Sequence, residues 1–320
     1  LILNKIIKNN ILKLNYKYWH TRCIVSNESK TTLNQICKTA NDVRSDRFYI
    51  PSVCAVEKLY AQFSLEKVMS SNLHAKKATK ISLFSFNGAA MRAFHMSWLA
   101  FFVCFFAWFA CAPLMPVIAG EFHLTKDQIA NINIAAVAIT ILVRLIVGPL
   151  CDKYGPRKTY TALLVLGSIP VFGVASANSY ESFLFFRLLI GAIGASFVIT
   201  QYHTSIMFAP NVVGTANAAT AGWGNAGGGA TQVLMPLMLG ALVMFGVEQA
   251  MGWRIALIVP GVLMLIVGLM YWKFTQDCPQ GNFQELRAEG VSVGSDKKGG
   301  VAILMHAAKN YRVWILFGAY

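Results

Sequence analysis

The chain has 320 residues, 56% of them hydrophobic and 13% charged, with a mean hydropathy of +0.51. A soluble domain carries about 25% charged residues, so the composition excludes an ordinary soluble globular fold. The net charge of +14, from 28 Lys and Arg against 14 Asp and Glu, lies mostly ahead of the first apolar run. A nucleic-acid footprint would place that charge on a folded face with aromatic partners, and no such partner is read here.

The first methionine is Met69. Residues 1–68 mix Lys, Asn and Ile without helical or strand periodicity, and they read as a non-native or disordered leader translated in frame. The alternative is an organellar presequence or a cytoplasmic extension. Transit peptides are poor in acids, whereas this segment holds Glu28, Asp42, Asp46, Glu57 and Glu66. Residues 69–93 then form a short N-terminal segment.

Apolar runs follow at about 94–118, 129–150, 159–176, 180–208, 215–246 and 254–274. A run of 18 or more residues with few charges is long enough to cross roughly 30 Å of hydrocarbon as a helix. The region 94–274 is therefore expected to be an all-α membrane domain of six spans. A polar stretch, 275–310, reads as a central loop, and 311–320 as the opening of a seventh helix. The abrupt stop there gives the expectation of a fragment.

Lys and Arg near the span ends set orientation. Lys76, Lys77, Lys80 and Arg92 precede the first span, Lys153, Arg157 and Lys158 fill the second connection, and Lys273, Arg287, Lys297, Lys298 and Lys309 follow the sixth span. The opposite loops hold Glu121, Asp127, Glu181 and Glu248 against Lys126 and Arg254. The N terminus and the central loop are expected on the cytoplasmic side.

Within the spans the chemistry is cationic. Arg144 stands in AITILVRLIVGPL with no acid within a helical turn, about 9 Å inside the membrane face at 1.5 Å per residue. An intramembrane arginine implies a polar cavity or a partner. Its planar fork of donors suits a small planar oxyanion, and the other reading is a buried ion pair with a carboxylate elsewhere. Five glycines, Gly222, Gly224, Gly227, Gly228 and Gly229, fall within eight residues of the fifth span around Asn225. Glycine there lets helices approach closely, with Gly224 and Gly228 at small-xxx-small spacing. Asn225 would either donate to an anion or bond across a packing seam.

Gly148, Asp152, Gly155, Arg157 and Lys158 form the turn between spans two and three, with Asp152 placed as a conformational latch or as part of a solvated loop. Arg187, followed one turn later by Gly191, is a second intramembrane arginine, read as an anion ligand, a structural pair or a proton-linked gate. His203 is buried and hydrogen-bonded on one reading and proton-linked on the other. The seven Cys contain no CxxC pair, so no disulfide framework, zinc site or other metal centre is signalled. No nucleophile constellation or phosphate loop marks an enzyme or a bound cofactor.

These residues carry a resemblance. Gly148–Lys158 resembles the loop signature of the major facilitator superfamily, and Arg187 with Gly191 its fourth-helix arginine motif. Ala221–Ala230 and Arg144 are similar to the glycine signature and second-helix arginine of its nitrate/nitrite porter family. Residues 80–320 resemble the eukaryotic high-affinity branch, including LFSF before the first span and QDCPQGNF after the sixth. The resemblance implies the N-terminal half of a twelve-helix plasma-membrane transporter working by alternating access. Nitrate or nitrite would lie between Arg144 and an arginine on helix eight, outside this chain, with Asn225, Gly222 and Gly224 lining the site. It further implies proton coupling and, for some members, a small single-span accessory protein. His203 departs from the aromatic expected at that position. Transport of another anion such as phosphate, and a nitrate sensor, are the other readings.

Overall fold

The computed structural model describes residues 77–291, 293, 305 and 308–319, all within the unit Ser64–Tyr320. The leader 1–68, residues 69–76 and the part of the central loop at 292, 294–304, 306 and 307 lie outside the described residues. Six helical stretches are long and apolar enough to cross a membrane, and every regular element among the described residues is helical.

Helix α1, Ala89–Phe109, begins beyond Gly88 and ends earlier than the hydropathy predicts. The cause is the sequence ACAPLMP: Pro113 and Pro116 each lack a backbone donor. The chain turns through 110–114 and restarts as α2, Met115–Glu121, with a proline in its first turn. Helix α3, Lys126–Tyr154, opens on a capping box in which Thr125 and Gln128 exchange side-chain and backbone bonds, so its donors are satisfied at the membrane edge. Gly155, at φ 87°, ends α3 and starts α4, Pro156–Ala175.

The fourth span is not one α-helix. It runs as α5, Tyr180–Ile190, then a 3-10 segment, Gly191–Ala195, then α6, Ser196–Met207. Helix α7, Val213–Met244, carries the glycine run, and α8, Gln249–Phe274, completes the bundle. Two shorter helices follow, α9 (Phe283–Ala288) and α10 (Tyr311–Ala319).

Glycine decides how α7 meets α1. The buried face of α7 is Ala216, Thr220, Gly224, Gly227, Thr231, Met235 and Leu239, a helical stripe of small residues ending in large ones. A Cβ at Gly227 would strike the Phe102 carbonyl, and one at Gly224 would enter the Phe101 ring. Thr231 Oγ1 donates to the Phe106 carbonyl at 3.1 Å, one turn further on. Gly228 is looser, with its missing Cβ 3.3 Å from Phe109. The small-residue seam is therefore Gly224 with Gly227. Gly222 and Gly229 face open space.

The far end of the bundle is held by one ion pair. Arg254 Nη2 lies 2.7 Å from Glu121 Oε1, and Trp253 Nε1 donates to Glu121 Oε2 at 2.6 Å. Partial burial pushes the Glu121 carboxyl up, but the Arg254 and Trp253 hydrogen bonds outweigh it and hold the group below its ordinary value. A depressed folded-state value means that this contribution is complete above the ordinary glutamate range and lost as pH falls through the folded value.

Overpacking a helix seam costs about 1–3 kcal/mol. Gly227→Val is accordingly expected to lower the thermal midpoint of the purified protein by several degrees, whereas Gly229→Ala leaves it within a degree or two. Equal effects of the two changes in a thermal-shift measurement would contradict the seam.

Candidate functional site

The 3-10 segment brings span four against α3. A Cβ at Gly191 would lie 2.6 Å from the Ala136 carbonyl oxygen, and one at Gly194 would lie 2.8 Å from the Trp108 ring and 2.9 Å from Thr140. Without those side chains the backbones come close enough for direct bonding. Thr140 Oγ1 donates to the Gly191 carbonyl at 2.6 Å. One turn along α3, Arg144 Nη2 donates to the Gly194 carbonyl at 3.3 Å.

That single bond leaves most of the guanidinium unused. Arginine has five N–H donors in a planar fork. Among the described residues Arg144 has no acidic partner and no second hydrogen bond. It stands on the exposed side of α3, and Asn225 stands on the exposed side of α7 beside Gly222. Of the six spans, α3 and α7 have the smallest buried share. Each donor therefore occupies an open helix face while the opposite face packs inward.

Between those two helices lies an aromatic edge of α1. Trp108 Nε1 donates to the Ala136 carbonyl of α3 at 2.8 Å. Phe105 packs edge-on against Trp108 at 5.3 Å, and Phe105 and Phe109 lie against Gly228 of α7. Gly224, expected among the substrate-facing residues, lies instead beneath Phe101 in the α1 seam. The reason is helical phase: it shares the buried stripe with Gly227, not the open face with Gly222 and Asn225.

Arg187 is placed differently from Arg144. It is 4% exposed and donates through Nη1 to the Trp108 carbonyl at 2.9 Å. Its Nε meets no acceptor among the described residues. The two arginines thus converge on Trp108 by different routes, Arg187 through the backbone carbonyl and Arg144 through Gly194, which touches the ring.

His203 is fully buried. Its Nε2 lies 2.8 Å from the Gln276 carbonyl and its Nδ1 contacts the Tyr271 hydroxyl, which in turn lies 3.2 Å from Ser97 Oγ. A carbonyl only accepts, so Nε2 carries the proton and Nδ1 can accept from Tyr271. This geometry makes the imidazole a bonded link between α6 and the residues after α8.

The loop signature forms a second cluster at the end of the bundle that carries the N terminus of α1. Here a residue overlooked by sequence reasoning, Asp277, is central. It is 2% exposed. Its Oδ1 accepts from the Arg157 amide at 2.9 Å and its Oδ2 from the Phe283 amide at 3.0 Å. Burial pushes its carboxyl above the ordinary value, with the two amides and the charges of Arg157 and Lys158 pulling the other way. Any Cβ at Gly155 would collide with that carboxylate, which is a packing reason for glycine there beyond its φ.

Arg157 also donates through Nε to the Trp272 carbonyl at 2.8 Å and stacks on the Trp272 ring at 4.4 Å. Lys158 bonds Gln284, and Arg287 reaches back to the Asp152 and Lys153 carbonyls. Asp152 itself accepts from Tyr202 Oη at 2.7 Å through Oδ1. Gly148, one turn earlier in α3, faces open space. An acid that answers the basic turn is thus Asp277, from the segment after α8. It was legible only as the single acid in TQDCPQGN.

A family model described as Major Facilitator Superfamily matches residues 97–320. This chain belongs to that superfamily. Curated relatives include a high affinity nitrate transporter 2.5 of Arabidopsis thaliana, 38% identical over 76% of this chain and 48% of the relative. A high-affinity nitrate transporter 2.3 of Oryza sativa is 40% identical over 75% and 46%. A nitrate/nitrite transporter of Nostoc punctiforme is 36% identical over 62% and 39%. The chain spans about half the length of the plant relatives it matches. Among solved structures, an inward-facing bacterial homolog of the human lysosomal transporter Spinster superposes with a TM-score of 0.54 at 15% identity. It covers 64% of this chain and 50% of that one, and shows the shared fold.

The clasp around Asp277 has a measurable weight. Asp277→Ala would leave two buried amides without an acceptor, at about 1–3 kcal/mol each. The purified superfamily protein is expected to lose at least several degrees of thermal midpoint, and Asp152→Ala to lose less. The reverse order would show that the clasp is centred on Asp152.

Proposed function

We propose that this chain forms the N-terminal half of a transporter that moves nitrate, and nitrite, across the membrane by alternating access. The observation that carries the reading is Arg144. It is an arginine within a membrane span, on an open helix face, with one weak backbone bond and no acidic partner among the described residues. The names of the relatives, nitrate and nitrate/nitrite transporters, supply the anion class that such a fork would recognise.

The residues assigned to the anion are Arg144 and Asn225, with Gly222 leaving backbone access beside Asn225. A guanidinium binds a planar trigonal oxyanion through two parallel N–H bonds in one plane. The Asn225 amide adds donors without adding charge. A second arginine on helix eight, in the complementary half, would complete the cradle. The gating and structural set is Gly148, Asp152, Gly155, Arg157, Lys158, Arg187, Gly191, Gly227, Gly228 and Gly229; of these Gly155, Arg157, Lys158, Arg187, Gly191 and Gly227 make the close contacts that keep the half rigid while it rocks against its partner half, whereas Gly148 and Gly229 face open space.

The distribution of Lys and Arg supports a cytoplasmic N terminus, and a plasma-membrane location belongs to the same reading. Coupling to protons, and association with a small single-span accessory protein, belong to the same reading.

Labelled-nitrate uptake by the full-length protein tests it. A hydrogen bond to a charged group contributes about 1.5–3 kcal/mol, which corresponds to roughly 10- to 150-fold in affinity. Arg144→Lys is expected to raise the nitrate KM at least tenfold, because it keeps the charge and loses the planar pair, and Arg144→Ala to remove measurable uptake. Chlorate and nitrite are expected to compete better than phosphate. Uptake with unaltered affinity in either variant, or preferential block by phosphate, would sink the assignment.

A further inference from the structure

The segment ahead of α1 presents apolar side chains that neither the arginine face nor the Asp277 clasp uses. Leu83 and Phe84 form the tip of a tight turn, closed by the Ser85 amide donating to the Ser82 carbonyl at 3.1 Å. Phe84 is 98% exposed and Phe86 62%, with Leu83 exposed beside them. The turn lies just before Gly88, where the first span begins.

The segment is pinned on both sides of the turn. Ala78 donates to the Met207 carbonyl at 3.1 Å and accepts from the Ala209 amide at 2.9 Å, and Asn211 Nδ2 donates to the Thr79 carbonyl at 3.1 Å. Beyond the turn, the Ser85 carbonyl lies 3.2 Å from His95 Nε2, and Phe86 stacks on that imidazole at 4.3 Å. Held at both ends, the turn projects Leu83 and Phe84 away from the bundle.

The neighbouring surface indicates what covers them. Arg92 Nε, in the first turn of α1, donates to the Phe274 carbonyl at 3.3 Å. Lys80 and Asn87 line one surface recess with Pro279, just beyond α8. The turn thus stands beside the end of α8. Every exposed residue of α8 from Ile258 to Leu269 is hydrophobic, and Val262, Ile266, Leu269 and Lys273 share one side at helical spacing. That is the composition of a face turned to hydrocarbon, unlike the open faces of α3 and α7, which carry Arg144 and Asn225. The stripe finishes on Lys273, whose Nζ lies over the Phe274 ring at 5.7 Å. A lysine lays its apolar stem on such a surface and keeps its charge at the water edge.

Charge points the same way. Between Glu66 and Glu121 the sequence contains no acid. Lys80 on the turn side and Lys273 on the α8 side are both exposed. Aromatic residues are enriched at membrane–water interfaces, and basic residues there are attracted to anionic headgroups.

We propose that residues 80–86 are an in-plane membrane anchor. Leu83 and Phe84 enter the headgroup–acyl boundary of the leaflet at the N-terminal end of α1, and Lys80 and Lys273 engage anionic phospholipid headgroups. The anchor sets the depth at which the first span begins and, through Ala78, ties that depth to the connection between α6 and α7. It rests on the chain spanning a membrane and not on which anion is carried.

The test uses the full-length protein carrying Phe84→Cys, spin-labelled and placed in nanodiscs of phosphatidylcholine with and without phosphatidylglycerol. Cys104, Cys111, Cys151 and Cys278 are buried, and the signal of the unsubstituted protein treated identically is subtracted. Collision of the label with oxygen, which concentrates in lipid, and with a water-soluble nickel chelate reads its depth. The label is expected to be open to oxygen and shielded from nickel, about 5–10 Å into the boundary, and deeper with phosphatidylglycerol than without. Lys80→Gln together with Lys273→Gln is expected to remove that difference. A Glu289→Cys variant, labelled at an exposed position after α9, provides the aqueous reference. Free collision of the Phe84→Cys label with nickel would place the turn in water, and shielding from both reagents would place it against protein, such as the complementary half; either result overturns the anchor. Equal depth in the two lipid mixtures would overturn the headgroup assignment. No transport is measured, so a failure of the nitrate reading leaves these outcomes unchanged.

Discussion

A guanidinium inside a membrane span must find acceptors, because hydrocarbon offers none and desolvation of the charge is costly. The bundle is arranged around that requirement. Gly191 and Gly194 remove the side chains that would separate span four from α3, and the 3-10 winding lays carbonyls along the contact. Thr140 takes one carbonyl and Arg144 takes the next. One bond fixes the direction of the Arg144 side chain while leaving the outer donors of its fork uncommitted. Arg187 is resolved the opposite way, buried and tied to the Trp108 backbone. The same residue type thus fills two roles, separated by burial and by what lies within reach.

Rigidity is the companion requirement. Two clasps hold the ends of the half: the Glu121–Arg254 pair with Trp253 at one, and Asp277 with Gly155, Arg157 and Phe283 at the other. Both place a carboxylate where it accepts from fixed donors, which is how a partly or wholly buried acid becomes favourable. The second clasp also recruits His203 through the Gln276 carbonyl. The segment after α8 is therefore part of the bundle as far as α9, not a free linker beginning at Phe274.

Much of this was legible in the sequence. Six apolar runs, the turn from Gly148 to Lys158 and an Arg144 with no acid within a helical turn all follow from composition and local spacing, because a bilayer imposes length and charge limits that a one-dimensional string reveals. The misses share one cause. The end of α1 at Phe109 depended on Pro113 and Pro116, which hydropathy ignores. Gly224 was placed with the open face because spacing along the chain does not report which side of α7 meets α1. Asp277 was passed over because it acts on Arg157, a residue far away in sequence.

The sequence by itself determined that this is a membrane-spanning helical chain of the major facilitator superfamily with an arginine in its second span that has no acid within a helical turn. Hydrocarbon thickness and the cost of charge write those facts residue by residue. Only the tertiary structure decided which glycines are seam and which are surface, which arginine is sealed and which is open, and which acid closes the basic turn. Those outcomes depend on helical phase and on contacts between spans, neither of which any single segment of the chain contains.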